Sequence, residues 1–177
     1  SRWCGLANAP ESLASFVTPN TPALRDILLA ASARLLQSTG NGALDGYLSK
    51  SAERTQLIAE ACYQSLAERG IVYIVAQPSF EEQGQKVRNA AEVLADGAGN
   101  CLDLSVTLAA ILEAAGLAPA IAIGDGHAVV SFATTDDQFS DAIHEGASRM
   151  ANRIELGEYR AIESTGACSE RCSFSQA

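Results

Sequence analysis

Apolar residues recur at helical spacing in two early stretches of the chain. Leu24, Ile27, Leu28, Ala31, Leu35 and Leu36 mark one face behind Thr18-Pro19-Asn20-Thr21-Pro22, which has the proline and polar residues of a helix start. The spacing predicts a helix that ends near Ser38, followed by turn residues at Thr39-Gly40-Asn41-Gly42 and a loop through Gly46 and Tyr47. A second polar start falls at Ser49 or Ser51. From Ala52 to Arg69 the positions Leu57, Ile58, Ala61, Cys62, Ser65 and Leu66 line one helical face, and Gly70 is placed as a C-cap. Cys62 therefore reads as a packing residue. Residues 1–17, which include Trp3 and Pro10, show no period and read as an irregular arm.

The period then changes. Ile71-Val72-Tyr73-Ile74-Val75 is β-branched and aromatic and is closed by Gln77-Pro78, which predicts a short buried strand. Gly84–Arg88 is polar and irregular, and Ala90–Leu94 makes a short helix ahead of Gly97 and Gly99. Leu102, Leu104, Val106, Leu108, Ala109, Ile111 and Leu112 then give a strongly apolar helix that begins at Cys101 and stops at Gly116. Ala118–Ile123 and His127–Phe132 read as strands joined by the tight turn Gly124-Asp125-Gly126, a hairpin with a histidine at its mouth. Thr134–Gln138 is polar, a helix is expected from about Ser140 to Asn152, and Tyr159–Ile162 reads as a strand with Glu163 at its end. From Ser164 onward the Ser-, Gly- and Cys-rich sequence has no period and is expected to be a mobile tail.

Composition narrows the classes. At 177 residues, with 47% hydrophobic and 19% charged, the chain suits one globular domain with a real core. A net charge of −9 opposes binding to a phosphate backbone, so no nucleic-acid partner is expected. The acidity instead favours a basic or neutral protein as substrate, through long-range attraction. Five cysteines, an odd number, are scattered as Cys4, Cys62, Cys101, Cys168 and Cys172, which is not the pattern of a disulfide scaffold. Cys168 and Cys172 lack a second Cys or His pair at zinc spacing, and no calcium-ligand loop is evident, so neither metal nor cofactor is expected. No apolar run approaches the roughly 20 residues of a membrane span, and Ser1-Arg2-Trp3-Cys4 lacks a signal-peptide plan. The expected setting is the cytoplasm, with no membrane partner. Because the first residue is not Met, a processed form or a piece of a larger multidomain protein is also consistent with the sequence.

The candidate chemistry lies at Gly97-Ala98-Gly99-Asn100-Cys101-Leu102-Asp103-Leu104. Asn100 is a strong N-cap residue and Cys101 takes the first helical position. The unpaired N–H groups of a helix start stabilise a thiolate and donate to an oxyanion formed beside it. Asp103, in the same turn, opposes thiolate formation as a like charge, and its natural task is to close a capping box with Asn100. A cysteine at the edge of an apolar helix is also an ordinary packing residue, so partners elsewhere must decide its role.

A catalytic thiol needs an imidazole and a group that orients it. Of the two histidines, His144 sits beside Glu145 in an expected surface helix, whereas His127 opens an apolar strand and is the better base. For the orienting acid the sequence offers Asp125, Asp136, Asp137, Asp141 and Glu163, and spacing does not choose among them. Asp125 suits a turn, Asp136 and Asp137 a solvated loop, and Asp141 a helix start, while Glu163 ends a strand from which a carboxylate can reach a neighbouring strand.

Gly84-Gln85-Lys86-Val87-Arg88, Ala91-Glu92-Val93-Leu94, Gly99-Asn100-Cys101-Leu102-Asp103-Leu104, the Leu-Glu-Ala-Ala-Gly-Leu-Ala-Pro run and Gly126-His127-Ala128 together resemble the bacterial branch of the transglutaminase-like superfamily. The resemblance covers about Ala52 to Thr165. It implies an α+β, papain-like transglutaminase core in which N-terminal helices and the nucleophile helix pack on a small antiparallel sheet. On this reading residues 1–50 are the arm and first helix, 52–165 the catalytic core and 166–177 the tail of a single domain over 1–177. Cys101 becomes the nucleophile, His127 the base and Glu163 of Ile162-Glu163-Ser164-Thr165 the orienting acid. Two positions depart from the pattern: the acid is more often Asp, and the residue before the nucleophile is often Thr, where this chain has Glu163 and Asn100.

The implied activity is a cysteine-dependent amide or peptide hydrolase acting on a protein or peptide through a thioester. The helix N–H groups serve the oxyanion, with Gln85, or alternatively Tyr73, as a second donor. Protein-glutamine crosslinking or deamidation is the nearest competing expectation. A non-catalytic interaction module of a larger signalling or defence protein is the alternative of another class, and a scaffold held by metal or disulfide through Cys168 and Cys172 is a third.

Overall fold

The computed structural model describes residues 2–75, 84–124, 126–136 and 147–168. In chain order these form β1 (Arg2–Trp3), a 3-10 helix at Pro10–Phe16, a 3-10 turn at Pro22–Leu24, α1 (Arg25–Thr39) and α2 (Ala52–Ala67). There follow β2 (Val72–Tyr73), β3 (Gln85–Lys86), α3 (Ala90–Asp96), β4 (Ala98–Gly99) and α4 (Cys101–Ala114). The chain then passes through β5 (Pro119–Gly124), β6 (His127–Ala133), α5 (Ala147–Glu155), β7 (Tyr159–Ile162) and a 3-10 turn at Ser164–Ala167. The architecture is α+β. Helices gather against one antiparallel sheet in the order β5-β6-β7, while β1 pairs β3 and β2 pairs β4 in separate two-stranded ribbons.

Helix α4 is the centre of the molecule because it is apolar along most of its length. Each residue from Cys101 to Leu112 is buried, and its polar side chains, Asp103, Ser105 and Thr107, are all hydrogen-bonded. Leu104, Leu108, Ile111 and Leu112 join the main core with Ile27 and Leu35 of α1, Ile58 and Leu66 of α2, Val93 of α3, and Val130, Phe132 and Ile162 of the sheet. Cys101, Leu102 and Val106 enter a smaller cluster with Trp3, Leu13, Val87 and Ala128. The helix thus divides two cores, and its N-terminus lies in the lesser one.

The sheet carries the other half of the site. In the hairpin Gly124 pairs with His127 and Ala120 with Ser131, and β7 continues the antiparallel order with Val130 opposite Ile162 and Ala133 opposite Tyr159. Alternation along β6 buries Ala128, Val130 and Phe132 beneath α4. At the far end of the hairpin the Tyr47 hydroxyl donates to Ala133 O at 3.0 Å and accepts from Ala118 N–H at 2.9 Å. There Gly46 and Gly116 approach so closely that a Cβ on Gly46 would lie 2.3 Å from Gly116 O.

Five expectations need correction. The segment Ile71–Val75 is not a buried strand: Ile71 is buried, but Val72 is 56% and Val75 87% exposed, and only Val72–Tyr73 pairs, parallel to Ala98–Gly99. Its apolar residues form an edge because the partner β4 is two residues long and lies on one side only. The N-terminal arm is not irregular throughout, since Trp3 pairs with Gln85, is buried, and donates its indole N–H to Ala9 O at 3.0 Å. That pairing also makes a strand of Gln85–Lys86 within the supposedly irregular segment. The sequence after Glu163 begins as a packed 3-10 turn, with Ala167 and Cys168 in the main core. The helix expected to Asn152 runs on to Glu155, and its expected start at 140–146 lies outside the described residues.

Candidate active site

The site is assembled from a helix start, a strand start and a strand end. At the first, the Asn100 side chain accepts from Asp103 N–H at 3.0 Å while the Asp103 carboxylate accepts from Asn100 N–H at 3.2 Å, the capping box expected from the sequence. It fixes Cys101 as the first residue of α4, 7% exposed. Asp103 is fully buried and has a second partner that the sequence did not announce. Arg88 N–H donates to its Oδ1 at 2.8 Å and the Arg88 guanidinium to its Oδ2 at 2.9 Å. The charge that would oppose a thiolate is therefore neutralised within hydrogen-bond distance. No local pattern links positions fifteen residues apart across α3, so only the fold reveals the pair.

At the start of β6, His127 Nε2 lies 2.6 Å from Oε2 of Glu163, which follows the last residue of β7. An ionised carboxylate has no proton to give, so Nε2 carries the hydrogen and Nδ1 of the neutral ring is the free basic atom. The other oxygen, Oε1, accepts from Thr165 N–H at 3.0 Å and from the Thr165 hydroxyl at 2.7 Å. Burial alone would push the Glu163 carboxyl up, but the bond from His127 and the two from Thr165 outweigh it. The carboxyl is held below its ordinary range. Thr165 is a residue the sequence reading missed; a threonine two places after an acid was its only signal.

Cys101 belongs to the same apolar cluster as Ala128, the residue after His127. Tyr73 closes the group. Its phenol is pushed up by burial first, then by the Cys101 side chain and more weakly by Glu163, with the Cys101 backbone amide acting the other way. One hydroxyl thus lies within electrostatic reach of both ends of the Cys101–Glu163 arrangement. Gln85, the first choice for a second oxyanion donor, is buried on β3, two positions before Val87 of the Cys101 cluster. Tyr73, the alternative, is the side chain that the fold draws to the thiol.

The remaining candidates separate cleanly. Asp136 is an exposed loop residue, while Asp125, Asp137, Asp141, His144 and Cys172 lie outside the described residues. Cys62 is fully buried with its thiol pushed up to about 12 by desolvation, consistent with packing. Cys168 is likewise buried, and Cys4 is exposed. Among the described residues no group of three or more His, Cys, Asp or Glu side chains is arranged to hold a metal ion. No helix among them is long and apolar enough to cross a membrane. No protein-family model, curated protein or solved structure matches the chain.

Proposed function

We propose that this protein is a cysteine-dependent hydrolase of an amide or peptide bond, with a papain-like, transglutaminase-type core and a Cys101-His127-Glu163 triad. The observation that carries the reading is the 2.6 Å contact between His127 and Glu163 beside the capped helix start that presents Cys101. Glu163 holds the imidazole in the tautomer whose Nδ1 is free, and Nδ1 takes the thiol proton. The sulfur attacks the carbonyl carbon, forming a C–S bond while the carbonyl π electrons move to oxygen. Helix N–H groups and the Tyr73 hydroxyl stabilise that oxyanion. The C–N bond then breaks, the nitrogen leaves with the proton returned from His127, and a thioester remains. Water, losing a proton to Nδ1, attacks the thioester, and the C–S bond breaks to give a carboxylic acid and the regenerated thiol.

The test needs no known substrate. The full chain is treated with iodoacetamide at neutral pH and each modified cysteine is quantified by mass spectrometry, with exposed Cys4 as internal reference. The expected result is that Cys101 labels faster than Cys4 and that His127→Ala slows Cys101 about tenfold or more without touching Cys4. Equal labelling of Cys101 with and without His127 overturns the triad and leaves a non-catalytic module.

A further inference from the structure

Each triad residue has a neighbour in a second, buried arrangement. Ser105 lies one helical turn after Cys101, Ala128 follows His127, and Ser164 follows Glu163. The Ser105 hydroxyl donates to Ala128 O at 3.1 Å and lies 2.9 Å from the Ser164 hydroxyl. A serine has one proton to give. Because that of Ser105 goes to Ala128, the proton between the serines belongs to Ser164, and the chain of bonds runs Ser164 to Ser105 to Ala128.

The sheet register explains why the bonds are needed. Val130 pairs with Ile162, and β7 ends there. Continued in register, the ladder would place Val129 opposite Glu163 and Ala128 opposite Ser164. The chain instead turns into the 3-10 segment Ser164–Ala167. Leaving the ladder frees Glu163 to reach His127, and the two hydroxyls replace the pairing that Ala128 loses. Both serines are 0% exposed, so water offers no substitute.

We propose that Ser105 and Ser164 are positioning residues of the candidate site, joining the helix of Cys101, the strand of His127 and the turn of Glu163 in one register through the buried chain Ser164–Ser105–Ala128. The inference rests on the triad reading above. Neither serine touches the reacting groups; each acts through the element that bears one of them.

Ser105→Ala and Ser164→Ala are compared with the unaltered chain, with His127→Ala, and with Ser131→Ala as a control. Ser131 is equally buried on β6 but donates to Ala120 O at 3.3 Å, within the hairpin. Two readouts are taken: the rate of Cys101 alkylation relative to Cys4, and the downfield proton NMR signal of the His127 Nε2–H bonded to Glu163. Each node variant is expected to slow Cys101 about tenfold and to move or broaden that signal, while Ser131→Ala preserves both. If His127→Ala labels like the unaltered chain, the triad reading fails and the positioning role fails with it. If His127→Ala is slow but the node variants match Ser131→Ala, the positioning role alone is overturned. Should Ser105→Ala not fold, Ser164→Ala decides the question, since it leaves the bond from Ser105 to Ala128 in place.

Discussion

The Oε2 atom of Glu163 lies 2.6 Å from Nε2 of His127, thirty-six positions away in the chain, and the other oxygen of the same carboxylate is held twice by Thr165. A carboxylate with three donors has one orientation, so the imidazole it binds has one orientation too.

The pH dependence of stability follows. The Glu163 carboxyl is held below its unfolded value, so it contributes stability that is fully present above about pH 4.3 and is lost as pH falls through the folded value. Thermal melts of the unaltered chain and Glu163→Gln between about pH 7 and pH 3 are expected to show a constant gap in Tm down to that range, then a closing one. A gap that widens in acid would contradict the sign.

Thr165→Val removes the hydroxyl donor to Oε1 and keeps the backbone donor. Because Glu163 is partly exposed, the expected loss in urea unfolding is modest, about 1 kcal/mol. The closing of the Glu163→Gln gap should move to higher pH in this background.

Arg88→Met leaves the fully buried Asp103 carboxylate without its guanidinium partner. The expected destabilisation is about 2 kcal/mol. Asp103→Asn in the same chain is expected to add less than its cost alone, since the uncompensated charge is gone; a double-mutant cycle by denaturant unfolding measures the coupling.

Gly84 has φ +67, and a Cβ there would lie 2.0 Å from the backbone oxygen of Trp3. Gly84→Ala must therefore displace the arm from β3, at an expected cost of about 2 kcal/mol. Trp3 is the only tryptophan and is 1% exposed, so a red shift of its fluorescence reports the displacement directly.

Periodicity located the three longest helices well. It placed α1, α2 and α4 nearly to their ends, and the short α3 was seen to begin at Ala90. The hairpin and β7 were equally legible, because β-branched runs bounded by glycines and polar residues describe strands without reference to anything else. The same signal misplaced Ile71–Val75, since an apolar run says nothing about how many neighbours will pair with it. Trp3 and Cys168 were invisible as core residues because single apolar side chains in aperiodic segments carry no pattern.

By itself the sequence determined what is local: where helices and strands begin, that Asn100 and Asp103 cap the helix of Cys101, and that a histidine heads a hairpin. The tertiary structure alone decided which cation neutralises Asp103 and that Ser105 and Ser164 share a bond, and it brings Glu163 to His127 from among acids that spacing left open. The physical reason is one of range. Caps and turns are fixed by hydrogen bonds within a few residues, whereas pairings across tens of residues exist only once the register of the sheet and the packing of α4 have brought distant backbone segments to the same place.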